Sequence, residues 1–337
     1  MRRGVESFTY NLSNHLAEIY NLEIVIYTWS NKDPINWGKW HKKIKIRKVP
    51  YSRYYQTLIA KLFYWFWIKL DRANKIICNF LWYGETAVFN KKKDVLIFHN
   101  PISQIPHRYD FSKKYIDYNS SIVFDSHHSL NQFKAMDEKY NNCKMIHTGV
   151  DTEYFKPNEK NDNNKLSLIC ISEFEDRKGI QYLIKAIPDL VKQFPSIILR
   201  IIGSGKQKNY YEQLIDQLNI RDFVVIQSPV NDTKPYLLMS DIYFLLSEGE
   251  GFPLGLLEAM SCGLPSIVSD NPPFDEIIDK NVGCRVSREE PESLVHAVTK
   301  LRDRKTRESM GSNARCLVQK RYSWTNISEQ YYNLIIS

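Results

Sequence analysis

The sequence predicts an α/β protein built from two doubly wound domains. Three observations lead there. At 337 residues the chain is long enough for two cores of ordinary size. From Leu166 onward, short apolar runs alternate with amphipathic helical patterns, as parallel strands joined by crossover helices do. Residues 240–270, SDIYFLLSEGEGFPLGLLEAMSCGLPSIVSD, read as strand, loop, helix and strand, with the loop leaving the carboxyl end of a buried strand.

The first half opens on a helix. In MRRGVESFTYNLSNHLAEIY, Val5, Phe8, Leu12, Leu16 and Ile19 share one helical face. Residues 23–28 (EIVIYT) form the next strand and residues 45–49 an edge-like one. Residues 58–70, LIAKLFYWFWIKL, are the most apolar and aromatic stretch and are too short to span a bilayer. They read as a core helix, the alternative being an interfacial helix with Lys61 and Lys69 at headgroup level. Residues 75–80 and 94–98 are short strands. The second ends in His99-Asn100-Pro101, which sets a histidine where ligands bind in open α/β sheets. A strand over residues 121–125 is followed by Ser126-His127-His128. Adjacent histidines lack the i, i+4 spacing that chelates a metal from one helical face, so they read as loop or helix-start residues. Residues 145–150 close the first domain, and the polar run KPNEKNDNNK (156–165) has the composition of a hinge.

In the second half, LSLICI (166–171) is a strand, and Ile180, Leu183, Ile184, Ile187 and Val191 mark a helix that Pro188 should kink or break. Residues 197–202 form a strand ending in Gly203-Ser204-Gly205, then come a polar helix and a strand over 223–226. The apolar run 242–246 leads into the breakers at 247–251. Pro253 suits the first turn of a helix, Leu254, Leu257, Ala259 and Met260 give that helix its apolar face, and Gly263 ends it. Residues 265–269 are the next strand and residues 292–301 an amphipathic helix. In the tail RYSWTNISEQYYNLIIS, Trp324, Tyr331 and Tyr332 are packing anchors.

A loop that opens a helix is a ready anion site, because free N–H groups and the helix dipole point into it. Glu250 lies just before this helix and Glu258 in its second turn. A carboxylate does not bind phosphate, but it accepts hydrogen bonds from sugar hydroxyls. The combination suits a sugar nucleotide.

Composition narrows the partners. A net charge of +8 points to an anionic one, and no nucleic-acid-reading motif accompanies it. The six cysteines are scattered, without metal-ligand spacing, as reduced thiols in a cytosolic protein are. There is no signal-peptide pattern and no apolar run of membrane-spanning length.

EGFPLGLLEAMSCGLPSIVSD (250–270) resembles the Glu-x7-Glu signature of retaining glycosyltransferases of family 4, and the resemblance extends, with gaps, over nearly the whole chain. It implies the GT-B fold, two facing Rossmann-like domains with a deep cleft between them. On that template residues 1–157 form the acceptor-side domain, residues 158–321 the nucleotide-sugar donor domain, and residues 322–337 a helix that crosses back to the first. Family members usually carry a strand before the first helix, in the middle of the N-terminal sheet. Here the glycine-containing loop survives as Arg3-Gly4-Val5 without it, so a truncated or misassigned start is expected. HTGVD (147–151) resembles the family's Asn-Gly-Val-Asp junction, with Thr148 in place of asparagine. SEFEDRKG (172–179) resembles a Gly-Arg-Leu…Lys-Gly loop that clamps the donor diphosphate. Lys178 matches its lysine, while Glu173 stands where an arginine is expected.

The resemblance thus implies a retaining transfer of a sugar from a nucleoside diphosphate to a hydroxyl of a glycan, a lipid-linked or a small-molecule acceptor. Lys178, Glu250 and His99 would be catalytic. Gly4, Gly203, Gly251, Phe252, Pro253, Leu254 and Glu258 would bind the donor. No Asp-x-Asp occurs, so no metal and no cofactor is expected. The expected location is the cytoplasm, with peripheral contact to the inner face of an anionic membrane. The rivals are a catalytically inactive homologue acting as a binding or partner subunit, which Glu173 and the missing strand favour, and a sugar-nucleotide epimerase of the same architecture.

Overall fold

The computed structural model describes residues 4–29, 38–49, 71, 77–78, 95–99, 121–136, 142–158 and 165–337. The chain forms two compact units, residues 150–323 on one side and residues 2–149 with 324–337 on the other. The expected helix at residues 58–70 lies outside the described residues. Among the described residues no helix is long and apolar enough to cross a membrane.

The first unit opens on α1 (Gly4–Ile19). Phe8, Leu12 and Leu16 are buried, but Ile19, the last residue of the helix, is 48% exposed, so the apolar stripe ends one turn earlier than its spacing predicts. Strands β1 (Ile24–Trp29) and β2 (Ile44–Val49) form a parallel pair. Strands β3 (Ile77–Cys78), β4 (Val95–Phe98), β5 (Ser121–Phe124) and β6 (Cys143–Met145) form a second parallel sheet in sequence order. Helix α2 (His127–Met136) starts at the paired histidines. The sequence closes this domain at residues 145–150; β6 ends at Met145 and the chain divides between residues 149 and 150.

The second unit alternates strand and helix until, at its end, two strands and then two helices follow one another: β7 (Leu166–Ile171), α3 (Ile180–Gln193), β8 (Ile197–Ile202), α4 (Lys208–Gln217), β9 (Val224–Gln227), α5 (Lys234–Leu238), β10 (Ile242–Leu245), α6 (Leu254–Ser261), β11 (Ser266–Ser269), β12 (Gly283–Val286), α7 (Pro291–Lys300) and α8 (Arg304–Arg321). The six strands are all parallel, in the order β12-β11-β10-β7-β8-β9. Side chains alternate across the sheet. Ile242 and Phe244 of β10 enter one core with α3, α4 and α7, while Tyr243 and Leu245 enter the other with α6 and α8. Burial on both faces explains why the strands read as unbroken apolar runs.

Pro188 does not break α3, which runs on to Gln193. Ile184, Ile187 and Leu190 around it are fully buried, and that packing outweighs the ~3 kcal/mol that a proline costs inside a helix.

The chain then returns to the first unit as α9 (Trp324–Ile336). Trp324, Ile327, Tyr331 and Leu334 join α1 and β4 in one core. Phe8 meets both Trp324 and Tyr331 edge-on, and Tyr20 stacks on Tyr332 at 4.1 Å. Cys143, Cys170, Cys262, Cys284 and Cys316 are free thiols.

Candidate functional site

The order of the six-stranded sheet reverses between β7 and β10. Loops leaving the carboxyl ends of such a strand pair diverge to opposite faces, and the crevice they open is where open α/β sheets bind ligands. One of these loops carries Lys178 and the other Glu250.

The β7 loop runs along the exit of β8. Ser172 N–H donates to Ile202 O and Phe174 N–H to Ser204 O. Gly203 makes the approach feasible, since a Cβ there would stand 1.9 Å from Ser172 O. The loop ends in a 3-10 turn, Asp176–Lys178, followed by Gly179 in the left-handed region at φ 68°. A Cβ on Gly179 would lie 2.3 Å from Leu246 O, so only glycine lets the turn seat against the end of β10. Backbone bonds fix the seat: Arg177 O accepts from Glu248 N–H at 2.7 Å and from the Arg288 guanidinium at 3.2 Å.

Lys178 is therefore carried inward. Its Nζ donates to Glu250 Oε1 at 2.5 Å, with the two side chains 10% and 16% exposed. Glu173 points outward, 72% exposed and 3.9 Å from Arg177. Arg177 itself donates to Glu175 at 2.8 Å, so its guanidinium is engaged by surface carboxylates.

Gly251 is buried, and the Phe252 ring packs against Tyr322 at 5.6 Å. Pro253 caps α6 rather than lying in its first turn, its carbonyl accepting from the N–H groups of Leu256 and Leu257. Leu254 is the first helical residue. One turn further on, the half-buried carboxyl of Glu258 accepts from Thr233 Oγ1 at 3.2 Å. Desolvation pushes that carboxyl up to about 7; the Thr233 bond opposes the shift and the charge of Asp232 adds to it. The two glutamates are thus in different company, Glu250 with a cation and Glu258 with a hydroxyl. The buried Tyr243 phenol feels both and is held well above its usual range, chiefly by burial.

His99 and Gly4 belong to the other unit. His99 follows β4, with its ring edge-on to Phe8 at 4.7 Å and its Nδ1 3.9 Å from Asp125 Oδ2, too far for a hydrogen bond. Burial lowers it to about 4, so the ring is neutral near pH 7. Gly4 is the first residue of α1 rather than a loop residue.

Sequence reasoning missed Thr233, Asp232, Tyr154 and Arg288. A signal existed for two of them: Asp232-Thr233 ahead of Lys234-Pro235 is a helix-start pattern.

A cation held against a carboxylate, a helix amino end and a half-buried hydroxyl acceptor together suit a ligand that bears both phosphate and sugar. Residues 150–316 match the family model described as glycosyl transferases group 1. An uncharacterized glycosyltransferase of Methanocaldococcus jannaschii is 36% identical over 177 residues, 51% of this chain and 45% of that protein. The N-acetyl-alpha-D-glucosaminyl L-malate synthase of Bacillus anthracis is 28% identical over 215 residues, 63% of this chain and 56% of that protein. The chain spans about half the length of these curated relatives. In fold, it superposes on the Anabaena protein HepE, solved in complex with UDP and glucose, with a TM-score of 0.81 at 16% identity, covering 99% of this chain and 96% of that one. The match to the group 1 glycosyl transferases thus falls on residues 150–316, in a chain of the GT-B fold.

Proposed function

We propose that the chain is a retaining glycosyltransferase, moving a sugar from a nucleoside diphosphate to an acceptor hydroxyl without a metal. The observation that carries this reading is the Lys178–Glu250 pair at the sheet's switch point, with Glu258 on the helix that starts beside it. In the transfer, the bond from the anomeric carbon to the diphosphate breaks. A bond to the acceptor oxygen forms on the same face, and the acceptor's proton leaves with the diphosphate. Lys178 and the amino end of α6 stabilise charge growing on the diphosphate, in a place where they need not reorganise. Glu250 holds Lys178 and receives hydroxyls of the donor sugar, Glu258 receives those of the ribose, and Gly203 shapes the nucleotide side by letting the β7 loop pack along the exit of β8. His99 keeps its proposed catalytic role and Gly4 its proposed role in donor binding.

Charge distribution supports an anionic acceptor surface. Of the 46 basic and 38 acidic residues, 23 and 25 fall within residues 150–323, against 23 and 13 in the rest of the chain. The whole positive excess thus belongs to the unit assigned to the acceptor, which suits a glycan or lipid-linked acceptor at an anionic cytoplasmic membrane face.

The test is a thermal-shift panel of UDP-, GDP- and ADP-sugars with chelator present. A ligand of the folded state at a hundredfold excess over its dissociation constant stabilises by about 2.7 kcal/mol. The expected result is a shift with one nucleotide class that Glu258→Ala abolishes, followed by product with retained anomeric configuration. A folded chain that answers no nucleotide sugar overturns the reading.

A further inference from the structure

The surroundings of Glu258 form a connected support that begins in the segment leaving the domain junction. Asp151 Oδ1 accepts from the N–H groups of Glu153 and Tyr154, closing a tight turn. The Arg315 guanidinium holds that turn by donating to the carbonyls of Thr152, Phe155 and Ser261, the last of these being the final residue of α6. Ser261 Oγ adds a bond to Phe155 O. Tyr154 thus extends from a fixed base, and its hydroxyl donates to Asp232 Oδ2 at 2.7 Å. The other oxygen of Asp232 accepts from Lys234 N–H, and Lys234 Nζ lies 4.7 Å from the centre of the Tyr154 ring. Between Asp232 and Lys234 stands Thr233, 7% exposed, whose hydroxyl donates to Glu258. The turn that grips α6 at its end therefore also grips, through Asp232 and Thr233, a side chain in its middle.

We propose that Tyr154, Asp232 and Thr233 are positioning residues for Glu258, fixing its carboxylate to receive hydroxyls of the donor. This deepens the donor-site reading above and rests on it. Tyr154 anchors Asp232, Asp232 shapes the turn, and Thr233 delivers one hydrogen bond to Glu258 Oε2, leaving Oε1 for the ligand. Thr233 and Asp232, from the turn before α5, act on this carboxyl, and its charge in turn reaches Tyr154 at the junction and Tyr243 of β10. Cys262, at the end of α6, interacts with Glu258, Lys234 and Arg315. Thr233 lowers the pH at which Glu258 ionises and Asp232 raises it, so the two support residues pull in opposite directions.

That opposition gives the test. UDP-glucose and GDP-mannose binding is measured by calorimetry from about pH 5.5 to about 8.5, where their diphosphates do not titrate. For the wild-type protein, the better-bound of the two should tighten as pH rises through about 7, where Glu258 becomes the stronger, ionised acceptor. Thr233→Ala should weaken binding about fivefold at neutral pH and move the midpoint upward, and Thr233→Ser should restore both. Asp232→Asn, which still accepts from Tyr154, should move the midpoint downward. Tyr154→Phe should raise the donor KM severalfold with kcat nearly kept. Melting temperatures confirm that each variant is folded. Normal binding with an unmoved pH profile in both Thr233→Ala and Asp232→Asn overturns this proposal alone. Wild-type protein that binds neither nucleotide sugar at any pH overturns the donor-site reading and this proposal with it.

Discussion

The hydroxyl of Tyr243 occupies space that exists because residue 255 is glycine: a Cβ at Gly255 would stand 2.8 Å from it. Tyr243 is fully buried, and its hydroxyl has no hydrogen-bond partner among the described residues. Gly255 is the second residue of α6, where alanine would favour the helix by about 1 kcal/mol. The strand and the helix start therefore share one packing constraint beside the Lys178–Glu250 pair.

Gly255→Ala should accordingly destabilise the protein by about 1 kcal/mol despite its better helix propensity, through overpacking against a ring that cannot retreat. Tyr243→Phe alone should be neutral or slightly stabilising, since it removes an unpartnered buried hydroxyl. Together the two changes should recover the loss, a coupling of about 1 kcal/mol or more in a denaturant double-mutant cycle. Additive effects would show that Gly255 does not house the tyrosine hydroxyl.

The Lys178–Glu250 pair separates stability from function. With both side chains mostly buried, removing one partner strands the other charge, so Lys178→Met should cost about 2 kcal/mol. Adding Glu250→Gln should return part of that stability. Sugar transfer should be lost in Lys178→Met and stay lost in the double variant, because the charge on the diphosphate is again unopposed. Recovered transfer alongside recovered stability would reduce the lysine to a structural role.

Glu258 carries a stability signature of its own. Its carboxyl is raised from 4.5 to about 7 in the fold, chiefly by desolvation, so the native state favours the protonated form. That contribution is complete below about pH 4.5 and is lost as pH rises through about 7. Glu258→Gln should therefore gain stability relative to wild type between about pH 5 and 8, on the order of 1 kcal/mol for a half-buried group, while losing donor binding. The readout is the difference in melting temperature against pH. A constant difference would mean the carboxyl is not held protonated.

The second unit was legible in the sequence because its strands are buried on both faces and its turns need glycine, so apolar runs and breakers fall where the backbone requires them. Lys178 and Glu250 were found separately, one from a loop and one from a helix start. Their contact depends on sheet order, which brings residues 72 positions apart to adjacent strands. Pro188 and Pro253 misled by local rule, the first overridden by core packing and the second displaced by one position to the helix cap. Tyr154, Asp232 and Thr233 were invisible as a group for the same reason as the pair: the link from residue 154 to residue 232 is purely tertiary.

His99 should reveal its environment through acid. Burial lowers the ring from 6.5 to about 4, so the fold favours the neutral imidazole. A depressed base of this kind contributes stability that is full above about pH 6.5 and is lost as pH falls through about 4. Asp125, 3.9 Å away, does not reverse the sign, because the separation is too long for a hydrogen bond that would hold a proton on the ring. Urea unfolding of wild type and His99→Gln at a series of pH values should show the wild-type advantage shrinking by about 2 kcal/mol between neutral pH and pH 4. The same neutrality bears on its proposed catalytic role. A ring already neutral at pH 6 leaves no acid limb near 6.5 in the transfer rate, and such a limb, absent in His99→Gln, would show that the ring is charged in the working protein and exposed to solvent when it acts.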